Sequence, residues 1–253
     1  MSKSNDKRPF AALQRLGGPP NSTALICIPY AGGGVSTYRS WPLGLRSISV
    51  YAMSFPGRDA RLFDPLFATL ESLVASIVEA VRPLTGRPFA LFGHSMGGFV
   101  AYEVARLLRR KGSAAPVHLF VSAIRAAHLP DPNPRIFDLP DKRFIEQLRW
   151  FGANTLLEME GGAEILDLML PTLRADFRIV QTYRYRSEPP LACPITVFGA
   201  MQDNTTSEQE LKEWRQHTSS FFDLVMLPGG HNYLDSSGDA VQAHIHSRLA
   251  GGA

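Results

Sequence analysis

The stretch Gly93-His94-Ser95-Met96-Gly97 matches Gly-x-Ser-x-Gly and lies between an apolar run, Pro88 to Phe92, and a helix-patterned segment, Phe99 to Leu108. A serine that leaves a strand and enters a helix through a tight turn takes strained backbone angles. Glycines two residues away on either side remove the Cβ atoms that would clash there. The hydroxyl is pushed out of such a turn, beside a helix start whose unpaired N–H groups favour developing negative charge. The chemistry this spacing predicts is nucleophilic attack on a carbonyl by Ser95.

A serine hydroxyl needs a base to take its proton and a third group to orient that base. Of the seven histidines, His231 follows the apolar run Phe222 to Leu227 through Pro228-Gly229-Gly230, which places it in a turn beyond a strand's carboxyl end. His94 lies inside the elbow, directed away from the pocket. His244 and His246 belong to a C-terminal helix, and His118 and His128 lack turn chemistry around them. For the orienting acid, Asp203 follows the strand-like Ile195 to Phe198 by the short turn Gly199 to Gln202. Asp223 begins a strand at the opposite edge, and Asp235, so near His231, reads as a cap of the final helix. The order Ser95, Asp203, His231 is the order that an α/β-hydrolase topology requires.

A tetrahedral intermediate also needs N–H donors for its oxyanion. The backbone N–H of Met96, just after the nucleophile, is one. The glycine-rich turn Pro29 to Gly34, which follows Leu25 to Ile28, offers the second at Ala31, with Gly32 close to the substrate. Tyr30 either lines the pocket or packs beneath that loop. A phosphate cradle is disfavoured, because no Gly-Lys-Ser/Thr ending and no Gly-x-Gly-x-x-Gly opens a helix here.

The elements that position these groups are legible as alternating patterns. Strand-like runs occur at Ala24 to Pro29, Ser47 to Phe55, Phe89 to Phe92, Val117 to Ser122, Ile195 to Phe198 and Phe222 to Leu227. Most are nearly continuous apolar stretches, as buried parallel strands are. Between them, Leu70, Leu73, Val74, Ile77, Val78 and Val81 recur at helical spacing, as do Val100, Val104, Leu107 and Leu108. The pattern predicts an α/β fold with a mainly parallel sheet covered by helices on both faces.

From about Ala127 to Pro190 the alternation stops. A proline-rich opening, Leu129 to Pro134, leads into helix-like material: Asp141 as a cap, Phe144, Ile145, Leu148 and Phe151 on one face, and Ile165, Leu168 and Met169 on a second. Pro171 interrupts that second face, which Leu173, Phe177 and Val180 resume. The expected division is a core of residues 1–126 and 191–253 with a helical insertion, 127–190. The insertion is either a packed structural unit or a lid over an apolar channel, emerging on the sheet edge that carries Ser95.

Composition sets the outer bounds. The 253 residues are 45% hydrophobic and 19% charged, with net charge +3. No run approaches the roughly 18 apolar residues of a membrane span, and the polar start Met1 to Arg8 lacks the apolar stretch of a secretory signal, so a cytoplasmic protein is expected. Cys27 and Cys193 sit in apolar runs as small hydrophobes, and no Cys/His cluster has zinc spacing, so no metal is expected. The run Arg109-Arg110-Lys111 reads as a solvated helix end, which leaves little support for nucleic acid.

Six blocks in order carry a resemblance over nearly the whole chain: Cys-Ile-Pro-Tyr-Ala-Gly-Gly-Gly (27–34), Phe-Pro-Gly-Arg-Asp-Ala-Arg-Leu (55–62), Gly-His-Ser-Met-Gly-Gly (93–98), Leu-Pro-Asp-Lys-Arg-Phe (139–144), Leu-Arg-Ala-Asp-Phe (173–177) and Gly-Gly-His-Asn-Tyr-Leu (229–234). The chain resembles the type II thioesterases, the stand-alone editing hydrolases of polyketide and non-ribosomal peptide synthases. The resemblance implies an α/β-hydrolase with a helical lid, the triad Ser95, Asp203 and His231, and release of stalled acyl groups from the phosphopantetheine arm of acyl or peptidyl carrier proteins. It implies no bound cofactor, since phosphopantetheine arrives with the substrate, and a monomer is expected. Asn232 stands where the family commonly has an aromatic residue and Ala200 where it often has glycine, which bears on pocket shape. Arg58 and Arg61 either pair and pack locally or receive an acidic carrier domain. The rival readings are a carboxylesterase or lipase on the same fold, a non-catalytic module that docks on a synthase, and a cyclising acyltransferase.

Overall fold

The computed structural model describes residues 10–151 and 162–250; the polar start Met1 to Arg8 and part of the insertion, 152–161, lie outside them. Seven strands, β1 (Ala12–Gly17), β2 (Ala24–Ile28), β3 (Ser49–Ser54), β4 (Phe89–His94), β5 (His118–Ser122), β6 (Ile195–Ala200) and β7 (Phe222–Leu227), form one sheet in the order β1-β3-β2-β4-β5-β6-β7. All neighbours are parallel except β1, which runs antiparallel to β3 at the edge. The apolar runs above predict the six parallel strands but not β1. Its sequence, ALQRLG, is half exposed and carries neither a continuous nor an alternating apolar signal.

The central strands alternate between two cores. Ile26, Ile28, Leu91, Leu119, Val121, Ile195 and Val197 face one side, where α1 (Leu70–Val81) and α2 (Met96–Arg110) pack. Leu25, Cys27, Phe92, Phe120 and Phe198 face the other, covered by the helical turn Trp41–Gly44 and the last helix. Period-two burial on both faces is why these strands read as unbroken apolar runs. The fold is α/β with helices on both sides of a mainly parallel sheet, as expected.

Between β5 and β6 the described residues form α3 (Asp141–Leu148) and α4 (Gly162–Gln181), which enclose a separate small core of Phe137, Phe144, Leu148, Leu166, Leu170, Leu173 and Phe177. Three expectations are corrected here. Pro140, not Asp141, is the residue before α3; Asp141 lies in the first turn and accepts from Arg174. Pro171 does not interrupt α4, which runs through it, since a proline removes one N–H while neighbouring turns stay anchored. Ile165 and Leu168 are exposed, and the buried face is instead Leu166, Leu170, Leu173 and Phe177.

The remaining helices, α5 (Glu208–Lys212) and α6 (Leu234–Ala250), flank β7, with α6 bending at Ser237. The basic run at the end of α2 is solvent-facing, as expected, and also makes surface ion pairs: Arg109 and Arg110 with Glu188, and Lys111 with Glu79. Arg61 likewise binds Asp64 and the Ser54 carbonyl, so its role is internal. Among the described residues no helix is long and apolar enough to cross a membrane.

Three histidines are buried in this framework and held neutral by it. Burial lowers His94 to about 3, with the His231 ring nearby adding to the effect, and lowers His118 and His217 to about 4 each. Their unfolded counterparts bind protons below about pH 6.5. The unfolded state therefore binds more protons on acidification, and the stability these sites contribute is complete above about pH 6.5 and is lost as pH falls towards 3 to 4. Each group contributes a slope of about 1.4 kcal/mol per pH unit within that window. Urea unfolding is predicted to show a midpoint that falls steadily from pH 7.5 to 5.0; a flat profile over that range would contradict this account.

Candidate active site

The carboxyl ends of β2, β4, β6 and β7 converge, and each delivers one part of the site. Ser95 follows β4 with φ 52° and ψ −120°, in a turn that enters α2 directly. A Cβ on Gly93 would overlap the Gly97 carbonyl, and one on Gly97 would overlap the Ile28 carbonyl of β2. The two glycines of the pentapeptide are thus required by close backbone packing, which holds the elbow against the neighbouring strand. The Ser95 N–H donates to the Ser122 carbonyl at 2.7 Å, which ties the elbow to β5 as well.

His231 lies in the turn after β7 and reaches Ser95 Oγ with Nε2 at 3.0 Å. Its Nδ1 lies 2.9 Å from Asp203 Oδ2, in the turn after β6. The three side chains selected from the sequence are therefore within hydrogen-bond reach of each other in a chain. Asp223 sits on edge strand β7 and pairs with Arg248, away from this group. Asp235 does not cap α6 but lies in its first turn and lines the same cavity.

Thr205 was not singled out from the sequence. Its hydroxyl donates to Asp203 Oδ1 at 2.7 Å and its N–H to the same oxygen at 2.8 Å, while Oγ1 stands 2.9 Å from His231 Nδ1. With the hydroxyl hydrogen directed at the carboxylate, Oγ1 and Asp203 Oδ2 both accept from an Nδ1–H. This pattern assigns the proton to Nδ1 and leaves the Nε2 lone pair facing Ser95. Burial raises the affinity of Asp203 for a proton, yet the hydrogen bonds and charge from His231 and the two bonds from Thr205 outweigh it. The net direction is below the usual carboxylate range, and Asp203 is ionised at neutral pH.

Behind the imidazole, His94 is fully buried with its ring 5.5 Å from that of His231, and it shares a hydrogen bond of 2.7 Å with Ser122 Oγ. Ser122 in turn bonds the buried Tyr233 hydroxyl. His94 is absent from the cavity wall, in line with its expected direction away from the pocket.

The turn Tyr30 to Gly33 closes with the Gly33 N–H donating to the Tyr30 carbonyl at 2.9 Å, and Gly32 has φ +77°. The Met96 N–H, at the first position of α2, has no acceptor within its helix. Ala31, Met96, Ser95 and His231 border a cavity of about 390 Å³, together with Tyr30 and Gly32. Leu148, Phe151, Met169, Leu173 and Phe177 of the insertion make its apolar wall, and Arg125, Asp131, Asn133 and Gln181 make a polar margin. Its volume and apolar wall suit a small-molecule or acyl ligand.

Comparison with known proteins gives a family-model match, described as a thioesterase domain, over residues 23–249. The chain is 41% identical to linear gramicidin dehydrogenase LgrE of Brevibacillus parabrevis over 228 residues, which cover 89% of this chain and 87% of that one. Among solved structures, RedJ, a thioesterase from the prodiginine biosynthetic pathway in Streptomyces coelicolor, is 39% identical with a TM-score of 0.84, covering 92% and 88% of the two chains. YbtT, a type II thioesterase from the yersiniabactin NRPS/PKS biosynthetic pathway, is 30% identical with a TM-score of 0.82, covering 94% and 98%.

Proposed function

The chain belongs to the thioesterase domain family, and from that premise we propose that Ser95, His231 and Asp203 hydrolyse acyl thioesters carried on the phosphopantetheine arm of acyl or peptidyl carrier proteins. The reading is supported above all by the unbroken Ser95–His231–Asp203 hydrogen-bond chain at the mouth of a cavity with an apolar wall. His231 Nε2 takes the Ser95 proton as Oγ bonds to the thioester carbon. The negative oxygen is met by the N–H groups of Ala31 and Met96, and Asp203 stabilises the imidazolium. The C–S bond then breaks and the sulfur leaves with the proton held by His231. Water, deprotonated by the same ring, releases the acyl group from Ser95 by the reverse sequence.

In this reading the acyl chain rests on Leu148, Phe151, Met169, Leu173 and Phe177, and residues 127–190 act as the lid that supplies this wall. Tyr30 and Gly32 border the reacting end. The enzyme works as a monomer in the cytoplasm beside a polyketide or non-ribosomal peptide synthase, editing stalled acyl groups. The hydride chemistry in the name of LgrE would need a dinucleotide loop, whereas the glycines here serve a serine elbow and a turn beside it.

The test is to load carrier domains with short, medium and branched acyl groups and follow unloading by mass spectrometry, alongside matched oxygen esters. Unloading of the carriers, with the thioester favoured over its oxygen ester, is the predicted result. Preference for the oxygen ester with the carriers untouched would instead establish a small-molecule esterase.

A further inference from the structure

The middle of α4 is fastened to the turn that carries the Ala31 N–H. Asp176, buried at 5% exposure, accepts the Gly32 N–H on Oδ2 at 2.8 Å. The same carboxylate takes both terminal nitrogens of Arg58, at 2.8 and 3.0 Å. Arg58 is equally buried; it also donates to the Gly33 carbonyl at 3.1 Å and, through Nε, to the Pro56 carbonyl at 3.2 Å. One turn earlier on the helix, Thr172 donates to the Gly57 carbonyl at 2.8 Å, and Leu173 occupies the space a Gly32 side chain would need.

The turn itself explains why this matters. A four-residue turn with an i to i+3 bond and φ near +80° at its third residue has the type II form, and its central peptide can rotate to give the type I form. In the Tyr30–Gly33 turn the central peptide ends in the Gly32 N–H, the group that Asp176 holds. The Gly33 N–H of the peptide after it makes the turn's closing bond, and the Gly33 carbonyl, where the chain leaves the turn, is held by Arg58. The peptide before it, which contains the Ala31 N–H, is fixed through the Tyr30 carbonyl by the turn's own closing bond. Rotation of the central peptide would break the Asp176 contact and reverse the Ala31 carbonyl, so that the residue carrying the Ala31 N–H loses its anchor to α4.

We propose that Asp176 and Arg58 are positioning residues: their buried pair locks the Tyr30–Gly33 turn in the form that aims the Ala31 N–H at the substrate oxygen. The inference rests on the assignment of Ala31 as an oxyanion donor and adds the part of the insertion on which that donor depends. Lid and hole are then mechanically one unit. Any displacement of α4 that separates Asp176 from Gly32 releases the turn, so a fully formed oxyanion hole requires a seated helix. A buried pair suits this task because breaking either half leaves an uncompensated charge, which restricts the turn to one arrangement.

The test compares wild type with Asp176→Asn and with the double variant Arg58→Met/Asp176→Leu, which removes both charges together and so avoids an unpaired ion. Each is assayed on an acyl N-acetylcysteamine thioester for kcat and KM, on an alkyl boronic acid whose tetrahedral adduct with serine places an anionic oxygen in the hole, and for its unfolding midpoint. The double variant is expected to fold, with kcat lower by about a hundredfold, the scale of a misplaced catalytic group, KM within about threefold of wild type, and boronate affinity lost in parallel with kcat. Asp176→Asn, which retains an oxygen for the Gly32 N–H but leaves Arg58 without a counter-charge, is expected to keep a higher kcat than the double variant while its unfolding midpoint falls. A folded double variant with wild-type kcat and boronate affinity overturns the proposal, and so does a loss of kcat with boronate binding unchanged. Should the double variant not fold, Arg58→Lys takes its place, with kcat and boronate affinity expected to fall together by about tenfold and the same two outcomes overturning the idea. Ser95→Ala in the same assay separates the two levels: if it is inactive while the clamp variants match wild type, the clamp alone fails. If it retains full rate, the triad reading and the clamp fail together.

Discussion

Ser95→Ala is expected to lower kcat for thioester hydrolysis by about a million-fold, the scale seen when the nucleophile of such a triad is removed. The size follows from the site's design. Without Oγ, His231 has no proton to take at 3.0 Å and no acyl-enzyme can form, so only the binding cavity and the N–H donors remain to assist direct attack by water. The fold should be almost unaffected. Alanine at φ 52° is no more strained than serine, and the lost Ser95–His231 hydrogen bond is worth about 1 kcal/mol. Intact-protein mass spectrometry after exposure to a fluorophosphonate gives the independent readout: wild type gains one adduct at Ser95, and the variant gains none. A variant that still unloads carriers at the normal rate would remove the serine from the mechanism altogether.

The parts of this site that were legible in the sequence share one property: each is announced by its own neighbours. Ser95 carries its glycines with it, and those glycines are needed because backbone from β2 lies where side chains would be. His231 and Asp203 follow apolar strands through short turns, so sheet topology alone brings them to one edge. The groups that escaped notice act across distance or through common residue types. Arg58 reads from the sequence as pairing near its own turn or receiving a carrier, but its partner Asp176 lies 118 positions away and meets it only because α4 crosses the loop after β3. Ser122 and Tyr233 are ordinary hydroxyls until the fold lines them up behind His231. Thr205 did leave a faint local trace, since an aspartate two residues before a threonine is the sequence of an Asx turn, in which the carboxylate accepts the later N–H. The helix through Pro171 shows the converse: a strong local stop signal was overridden because Thr172, Leu173 and Asp176 are each held by tertiary contacts just past it.

The second large effect is expected at Asp203. Asp203→Asn preserves size and shape yet should lower kcat by about ten-thousand-fold, because it changes which nitrogen of His231 carries the proton. In the native site two acceptors, Asp203 Oδ2 and Thr205 Oγ1, both stand 2.9 Å from Nδ1 and hold the proton there. An asparagine amide turned so that its oxygen keeps the Thr205 bonds points its NH2 at Nδ1 instead, and a donor facing Nδ1 favours the tautomer with the proton on Nε2. That proton then faces Ser95, and the base is lost while every heavy atom stays in place. The imidazolium that forms as Ser95 attacks is also left without its ionised partner, a role Asp203 can fill at neutral pH because its bonds from His231 and Thr205 outweigh the effect of burial. KM should change little, since neither group belongs to the apolar wall of the cavity. Steady-state kinetics on the N-acetylcysteamine thioester, with unfolding midpoints to establish an intact fold, decides the matter. A kcat within tenfold of wild type would mean that another carboxylate bordering the cavity, Asp131 or Asp235, orients His231 during turnover.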